Sequence, residues 1–260
     1  MCLFESLLND IFRIIKEIKE YDFTCINVAN CPQIYIENEA LAICSCIKKK
    51  FYKFCFENAI SSKEDKYIIG GLLASPETTT LWNLRKVKIL DKNISFEDEF
   101  HLTNLILNFS PRFTEPWKQR LWIYSLINNI NVESLENEFK FSLKMATKYS
   151  QNYFLWQYLR NLLEMFKSIL TKNFDWNNLL NSLLNLHKTW METNCSDLSG
   201  WKFRIYLFSL LLLSDEIVDN LYVSEELKWS KDLFEFYRTP SISIYITELE
   251  RLIQRKSLFR

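Results

Sequence analysis

Cys44, Cys46 and Cys55 lie close enough in the sequence to raise the chemistry of a thiolate metal site, and His101 and His187 are the imidazoles that could complete one. Zinc needs ligands that converge from one side of an element or from facing elements. In a helix Cys44 and Cys46 point to different sides, and no histidine lies nearby. Neither His101, in "FEDEFHL", nor His187, in "LNLHKTW", has a metal-binding partner four residues on. The expectation is buried or half-buried reduced thiols, satisfied structural histidines and no metal. Seven cysteines, six of them before residue 56, also make an odd set without the spacing of a disulfide framework. There is no P-loop, dinucleotide glycine pattern, nucleophile elbow or paired-histidine motif. Glu97-Asp98-Glu99 falls at a predicted helix start, where the dipole favours negative charge, so acid–base catalysis is the weaker reading of it.

What does recur is tryptophan with arginine. "SPETTTLWNLR" (75–85), "SPRFTEPWKQR" (110–120), "SQNYFLWQYLR" (150–160) and "CSDLSGWKFR" (195–204) place Trp82, Trp117, Trp156 and Trp201 at intervals of 35, 39 and 45 residues. Such intervals fit two helices and two short turns. A lone helical hairpin cannot bury its apolar stripe, so the indole reads as a wedge between stacked hairpins. Arg85, Arg120 and Arg204 follow their tryptophans by three residues. A guanidinium there can fork onto a carboxylate or carbonyl of the adjacent hairpin, or lie over an indole. In the third repeat Leu159 takes the arginine position and Arg160 comes one residue late.

The elements that must carry these residues are helices. Three glycines and five prolines leave little turn chemistry for an all-β chain, while leucine, lysine, glutamate and phenylalanine fall in helical spacing. The predicted fold class is all-α, a crescent-shaped, right-handed α-α superhelix of antiparallel helical hairpins. Residues 1–60 are expected to form N-terminal helices (about 3–20 and 39–60) around an irregular or extended connector, 21–38. Residues 61–260 are expected to form one solenoid, with a degenerate last repeat containing Trp229. Ser61 with Glu64, Ser75-Pro76, Ser95, and Thr114 or Ser110 are the predicted helix starts of its first half, with Gly70-Gly71 loosening the first helix. The fourth helix of that half is expected to run to about Ile130. Beyond it, helices are expected over 133–149, 152–171, 175–193, 197–213, 216–237 and 241–255.

Thirty-two basic and 32 acidic residues cancel, so no overall field attracts nucleic acid or an anionic membrane. Lys48-Lys49-Lys50 with Lys53, and Arg251, Arg255, Lys256 and Arg260, read as solvated helix faces. The longest apolar run, Ile205–Leu213, is about half of what a bilayer requires. "MCLFESLLND" lacks the basic region and cleavage site of a signal peptide. A cytoplasmic protein without a transmembrane segment is expected.

The patterns Asn-Tyr-x-x-Trp-x-x-Arg and Pro-x-x-x-x-x-Trp-x-x-Arg resemble the repeat of protein prenyltransferase α subunits, found in farnesyltransferase and the geranylgeranyltransferases. "YIENEALAI" (35–43), "SPETTTLWNLRK" (75–86), "SPRFTEPWKQRLWIY" (110–124) and above all "HKTWMETNCSDLSGWKFR" (187–204), with Ser199-Gly200-Trp201, resemble an orphan branch of that family, the protein prenyltransferase alpha subunit repeat-containing proteins. The resemblance implies an α-type subunit of a heterodimeric protein prenyltransferase, foremost a geranylgeranyltransferase. Its partner would be the β subunit of Rab geranylgeranyltransferase, which would hold the zinc and the isoprenoid diphosphate. The substrate would be a protein with a C-terminal cysteine, and no cofactor would sit in this chain. In the family's third repeat a Lys-Asn-Tyr sequence precedes the tryptophan, with lysine and tyrosine facing the departing diphosphate. Gln151, Asn152 and Tyr153 stand there in this chain, so Tyr153 and Gln151 are the candidates near diphosphate, although Gln151 brings no positive charge. The alternative is a non-enzymatic helical-repeat scaffold for protein–protein interaction.

Overall fold

The structure, a computed structural model, describes residues 3–24, 34–127, 130–169, 175–212 and 220–258. Twelve α-helices account for most of the described residues, which divide between two compact units, Met1–Leu126 and Ile127–Arg260.

The first unit opens with α1 (Leu3–Ile14), whose apolar stripe buries Leu7, Leu8 and Ile11. It ends earlier than residue 20 because the chain then enters a strand. Three strands, β1 (Glu20–Thr24), β2 (Ile34–Glu37) and β3 (Ala40–Cys44), form a sheet in the order β1-β3-β2. β1 pairs parallel to β3 and β2 antiparallel to it. This sheet corrects the expected connector over 21–38 and the helix expected from residue 39; residues 25–33 of that connector lie outside the described ones. The period-two alternation of Tyr21 with Phe23 and of Leu41 with Ile43 lets the strands bury Tyr21, Leu41 and Ile43 in the core while satisfying their backbones against one another. Asn38 and Glu39 close the β2–β3 hairpin in the left-handed region, with φ of 47° and 65°.

A 3₁₀ turn, Ser45–Ile47, leads into α2 (Lys48–Ser62), which ends on Lys63 at φ 59°. The expected Ser61–Glu64 capping box does not form. Ser61 Oγ instead donates back to the Asn58 carbonyl at 3.1 Å, and α3 (Asp65–Ala74) starts after Glu64. Nor do Gly70 and Gly71 loosen α3. A Cβ at Gly71 would stand 2.6 Å from Leu81 Cδ1, and one at Gly70 would collide with Leu8 and Cys55, so their bareness lets neighbouring helices approach closely. α2 packs along α3, joining the N-terminal segment to the first hairpin.

Five hairpins follow the predicted pairing. In the first unit these are α3 with α4 (Thr79–Leu90), and α5 (Phe96–Phe109) with α6 (Thr114–Leu126). In the second they are α7 (Val132–Lys148) with α8 (Tyr153–Ile169), α9 (Trp176–Thr193) with α10 (Leu198–Leu212), and α11 (Asn220–Tyr237) with α12 (Pro240–Leu258). Second helices pack on second helices, α4 on α6, α8 on α10 and α10 on α12, while α7 packs on α9. That layering is how hairpin repeats share one continuous core. Two expected boundaries move. α4 starts at Thr79 rather than at Ser75-Pro76, because those residues are spent on the turn, and α6 stops at Leu126. The expected end at Thr171, the expected start at Glu216, Leu213 and Arg260 fall outside the described residues.

Candidate functional site

Four residues join the helices in each of the first four hairpins, 75–78, 110–113, 149–152 and 194–197, and the tryptophan is the fourth residue of the second helix every time. The regularity has a local cause. From that position the indole N–H reaches back across the turn to the carbonyl of the turn's second residue: Trp82 to Pro76 at 2.7 Å, Trp117 to Pro111 at 2.9 Å and Trp201 to Cys195 at 2.8 Å. Each indole thereby satisfies its donor while its ring is buried. Trp156 is equally buried, but its Nε1 has no hydrogen-bond partner among the described residues. Its turn is also the one that carries Gln151 at φ 55°. Trp156 stacks on Phe203 (5.0 Å between centroids) and Trp201 lies against Tyr245 (4.6 Å), so the rings do wedge between successive hairpins.

Arg85 and Arg204 reach a carboxylate of the next hairpin, as the spacing suggested, whereas the Arg120 bonds to Thr103 and Asn104 lie within its own hairpin. Arg85 Nε donates to Glu99 Oε2 at 2.6 Å, and Gln119 Nε2 donates to the other oxygen at 2.9 Å, in a buried cluster joining α4, α5 and α6. Glu99, read from the sequence as a helix-dipole residue, is in fact fully buried as this arginine's counterion. Arg120 donates to Thr103 Oγ1 at 2.8 Å and to Asn104 Oδ1 at 2.6 Å, and lies over the Phe100 ring. Arg204 forks onto Glu226 with two 2.6 Å bonds, donates to the Leu184 carbonyl at 2.9 Å and covers the Trp229 ring. Burial works against its charge, but Glu226 together with Tyr245 and Tyr222 outweighs this and holds the Arg204 pKa above the ordinary arginine value. In the third repeat Leu159 is fully buried in place of a charge, and Arg160 instead reaches the Lys202 carbonyl at 3.1 Å and stacks over Tyr206.

His101 is satisfied, with Nε2 at 2.8 Å from the Ile15 carbonyl. His187 is not. It is wholly buried among Trp156, Trp190 and Phe203, with centroids 5.5–5.8 Å away, and neither ring nitrogen has a hydrogen-bond partner among the described residues. Burial first, and then the Arg204 charge, hold its pKa well below the histidine range. The pattern of leucines around it announces a core position but not the missing partners.

The turns are tied to one another by side chains. Asp197 accepts the Gly200 N–H on Oδ1 at 2.7 Å, capping α10, and the Gln151 N–H on Oδ2 at 2.6 Å. One carboxylate therefore fixes the fourth turn and fastens it to the third. Gly200 is required because a Cβ would stand 2.8 Å from Trp190 Cζ3, while Ser199 is half-buried beside it. Asn152, 2% exposed, caps α8 by accepting the Leu155 N–H at 3.2 Å. Gln151 and Tyr153 are both exposed, Tyr153 by 66%, and Tyr153 sits edge-on to the exposed Phe154 at 5.8 Å. With exposed Tyr149, the third turn thus presents three aromatic side chains and an amide. Phe154 and Tyr149 were not legible as exposed, since aromatics in an apolar run read as core. Among the described residues no group of three or more histidine, cysteine, aspartate or glutamate side chains is placed to hold a metal.

Stacked hairpins with an indole at the fourth position of the second helix in the first four of them, and an arginine one turn on in three of those four, define a helical-repeat protein. The Protein prenyltransferase alpha subunit repeat matches residues 135–166, the α7–α8 hairpin. The chain is 26% identical over 168 residues to Protein prenyltransferase alpha subunit repeat-containing protein 1 of Homo sapiens, a match covering 57% of this chain and 40% of the relative. It is 26% identical over 178 residues to the protein of the same name from Danio rerio, and 24% identical over 160 residues to protein 1-B of Xenopus laevis. The matches cover about two fifths of those relatives' length. The resemblance to the repeat-containing branch, read first from Trp, Arg and Ser199-Gly200, therefore holds.

Proposed function

We propose that the chain is the α-type subunit of a heterodimeric, cytoplasmic protein geranylgeranyltransferase, pairing with the β subunit of Rab geranylgeranyltransferase and helping to select a protein acceptor with a C-terminal cysteine. The observation that carries this reading is the third repeat, where the matched hairpin turns Gln151, Tyr153 and Phe154 outward at the start of α8. Exposed aromatic side chains gathered at one turn favour a surface that another polypeptide covers. On this reading the zinc and the isoprenoid diphosphate belong to the β subunit, where zinc would activate the acceptor thiolate. Tyr153 would donate a hydrogen bond to a diphosphate oxygen, and the Gln151 amide would do the same without adding charge.

Co-expression with candidate β subunits tests the proposal. A stable equimolar complex that transfers an isoprenoid to a cysteine-ending protein is the expected result, and failure to associate with any β subunit overturns it. The neutral Gln151 and the buried Leu159 favour a second reading, a scaffold that keeps the repeats without the enzyme partnership. A complex that forms but transfers no isoprenoid would select that reading.

A further inference from the structure

Cys44 closes β3 with extended backbone (φ −62°, ψ 123°), and Ser45–Ile47 turns as a 3₁₀ helix. The sequence expectation that Cys44 and Cys46 point apart holds for an α-helix. At this strand-to-turn junction their sulfurs stand 2.7 Å apart. A disulfide bond is about 2.0 Å long, so a small displacement joins them. Cys44 is buried and Cys46 exposed, which divides the labour between a resolving and an attacking thiol. Of the other described cysteines, Cys55 and Cys195 are buried elsewhere, with no second described thiol against them. Lys48, Lys49 and Lys50 form the first turn of α2, which has no acidic residue and no side-chain cap. Lys48 lies over the Phe23 ring, 4.6 Å from its centroid, which leaves the exposed Lys49 and Lys50 as the charges that an anion approaching this end of α2 would meet.

We propose that Cys44-Ser45-Cys46 is a redox-active thiol pair that closes to a disulfide by exchange with an anionic low-molecular-weight disulfide of the glutathione class. The Cys46 thiolate attacks one sulfur of that disulfide, forms a mixed disulfide and releases one glutathione thiolate. Cys44 then gives its proton to the glutathione thiolate just released and attacks Cys46 Sγ, and the second glutathione thiolate leaves. Two protein thiols are oxidised and one glutathione disulfide is reduced. The bond would lock the junction between the central strand β3 and α2.

The test incubates the purified full chain with oxidised glutathione, alkylates the remaining thiols and sequences the peptide holding Cys44 and Cys46 by mass spectrometry. The expected product has lost two hydrogens and carries no alkyl group on either sulfur. Cys46→Ser should abolish it, and Cys44→Ser should stop at a glutathione adduct on Cys46. If Cys44→Ser does not fold, the exposed Cys46→Ser still decides the matter. Lys49→Glu with Lys50→Glu should slow oxidation by glutathione about ten-fold at low salt, while leaving the rate with neutral hydroxyethyl disulfide unchanged. A wild-type chain that stops at a glutathione adduct on Cys46, or links Cys46 to a different cysteine, overturns the proposal. So does one equivalent of zinc that co-purifies with the reduced chain and is lost in Cys46→Ser.

Discussion

At the residue scale, the buried pair of Arg204 and Glu226 shows why position matters more than composition. Taking either charge out of water is costly, and the fork geometry offsets that only while both partners are present. Glu226→Ala should therefore destabilise the chain by about 3–5 kcal/mol in a denaturant titration, whereas replacing both residues by apolar ones of similar volume should cost less. Tryptophan offers a finer comparison. Trp82→Phe and Trp201→Phe each give up an indole bond to a turn carbonyl, but Trp156 donates to no described residue. Trp156→Phe should thus cost about 1 kcal/mol less than either in the same titration. His187 sets a pH dependence. Its neutral form is favoured in the folded chain, so its contribution to stability is complete above about pH 6.5. As pH falls below that value the unfolded chain binds the proton first, and stability should decline by up to about 1.4 kcal/mol per pH unit. His187→Leu should flatten that limb of the stability profile.

At the scale of elements, the turns set the repeat. Asp197 satisfies two backbone donors from two different turns, so Asp197→Ala should cost about 2 kcal/mol, roughly one for the cap and one for the stranded Gln151 N–H. Hydrogen exchange should quicken at both Gly200 and Gln151, which separates this role from a cap alone. Gly200→Ala should overpack α9 against α10 and cost about 1–3 kcal/mol. The hairpin pairing was legible because the tryptophan interval reports hairpin length directly. Helix starts were less so: Ser75-Pro76 has the composition of a cap and a first helical residue, yet the Trp82 indole needs Pro76 in the turn as its acceptor. The small sheet was missed because short apolar runs such as 40–44 suit a strand or a buried helix alike, and pairing across sequence decides between them.

At the scale of the whole molecule, the outward aromatic turn of the third repeat is the feature on which the proposed partnership rests. Tyr153→Ala together with Phe154→Ala should leave thermal unfolding of the isolated chain almost unchanged, since both side chains are exposed. Under the proposed function the same double variant should weaken association with the β subunit in a pull-down titration or reduce isoprenoid transfer. Unaltered binding and transfer would remove this turn from the interface.

The periodic indoles, the helical class and the resemblance of the repeats could be read from residue order alone, because each depends on short-range spacing along one chain. The counterions of Arg85 and Arg204, the enclosure of His187 by aromatic rings, the approach of Cys44 to Cys46 and the exposure of Tyr153 could not. Each depends on which distant segment packs alongside, and burial and hydrogen bonding take their energies from neighbours in space, whatever their separation in sequence.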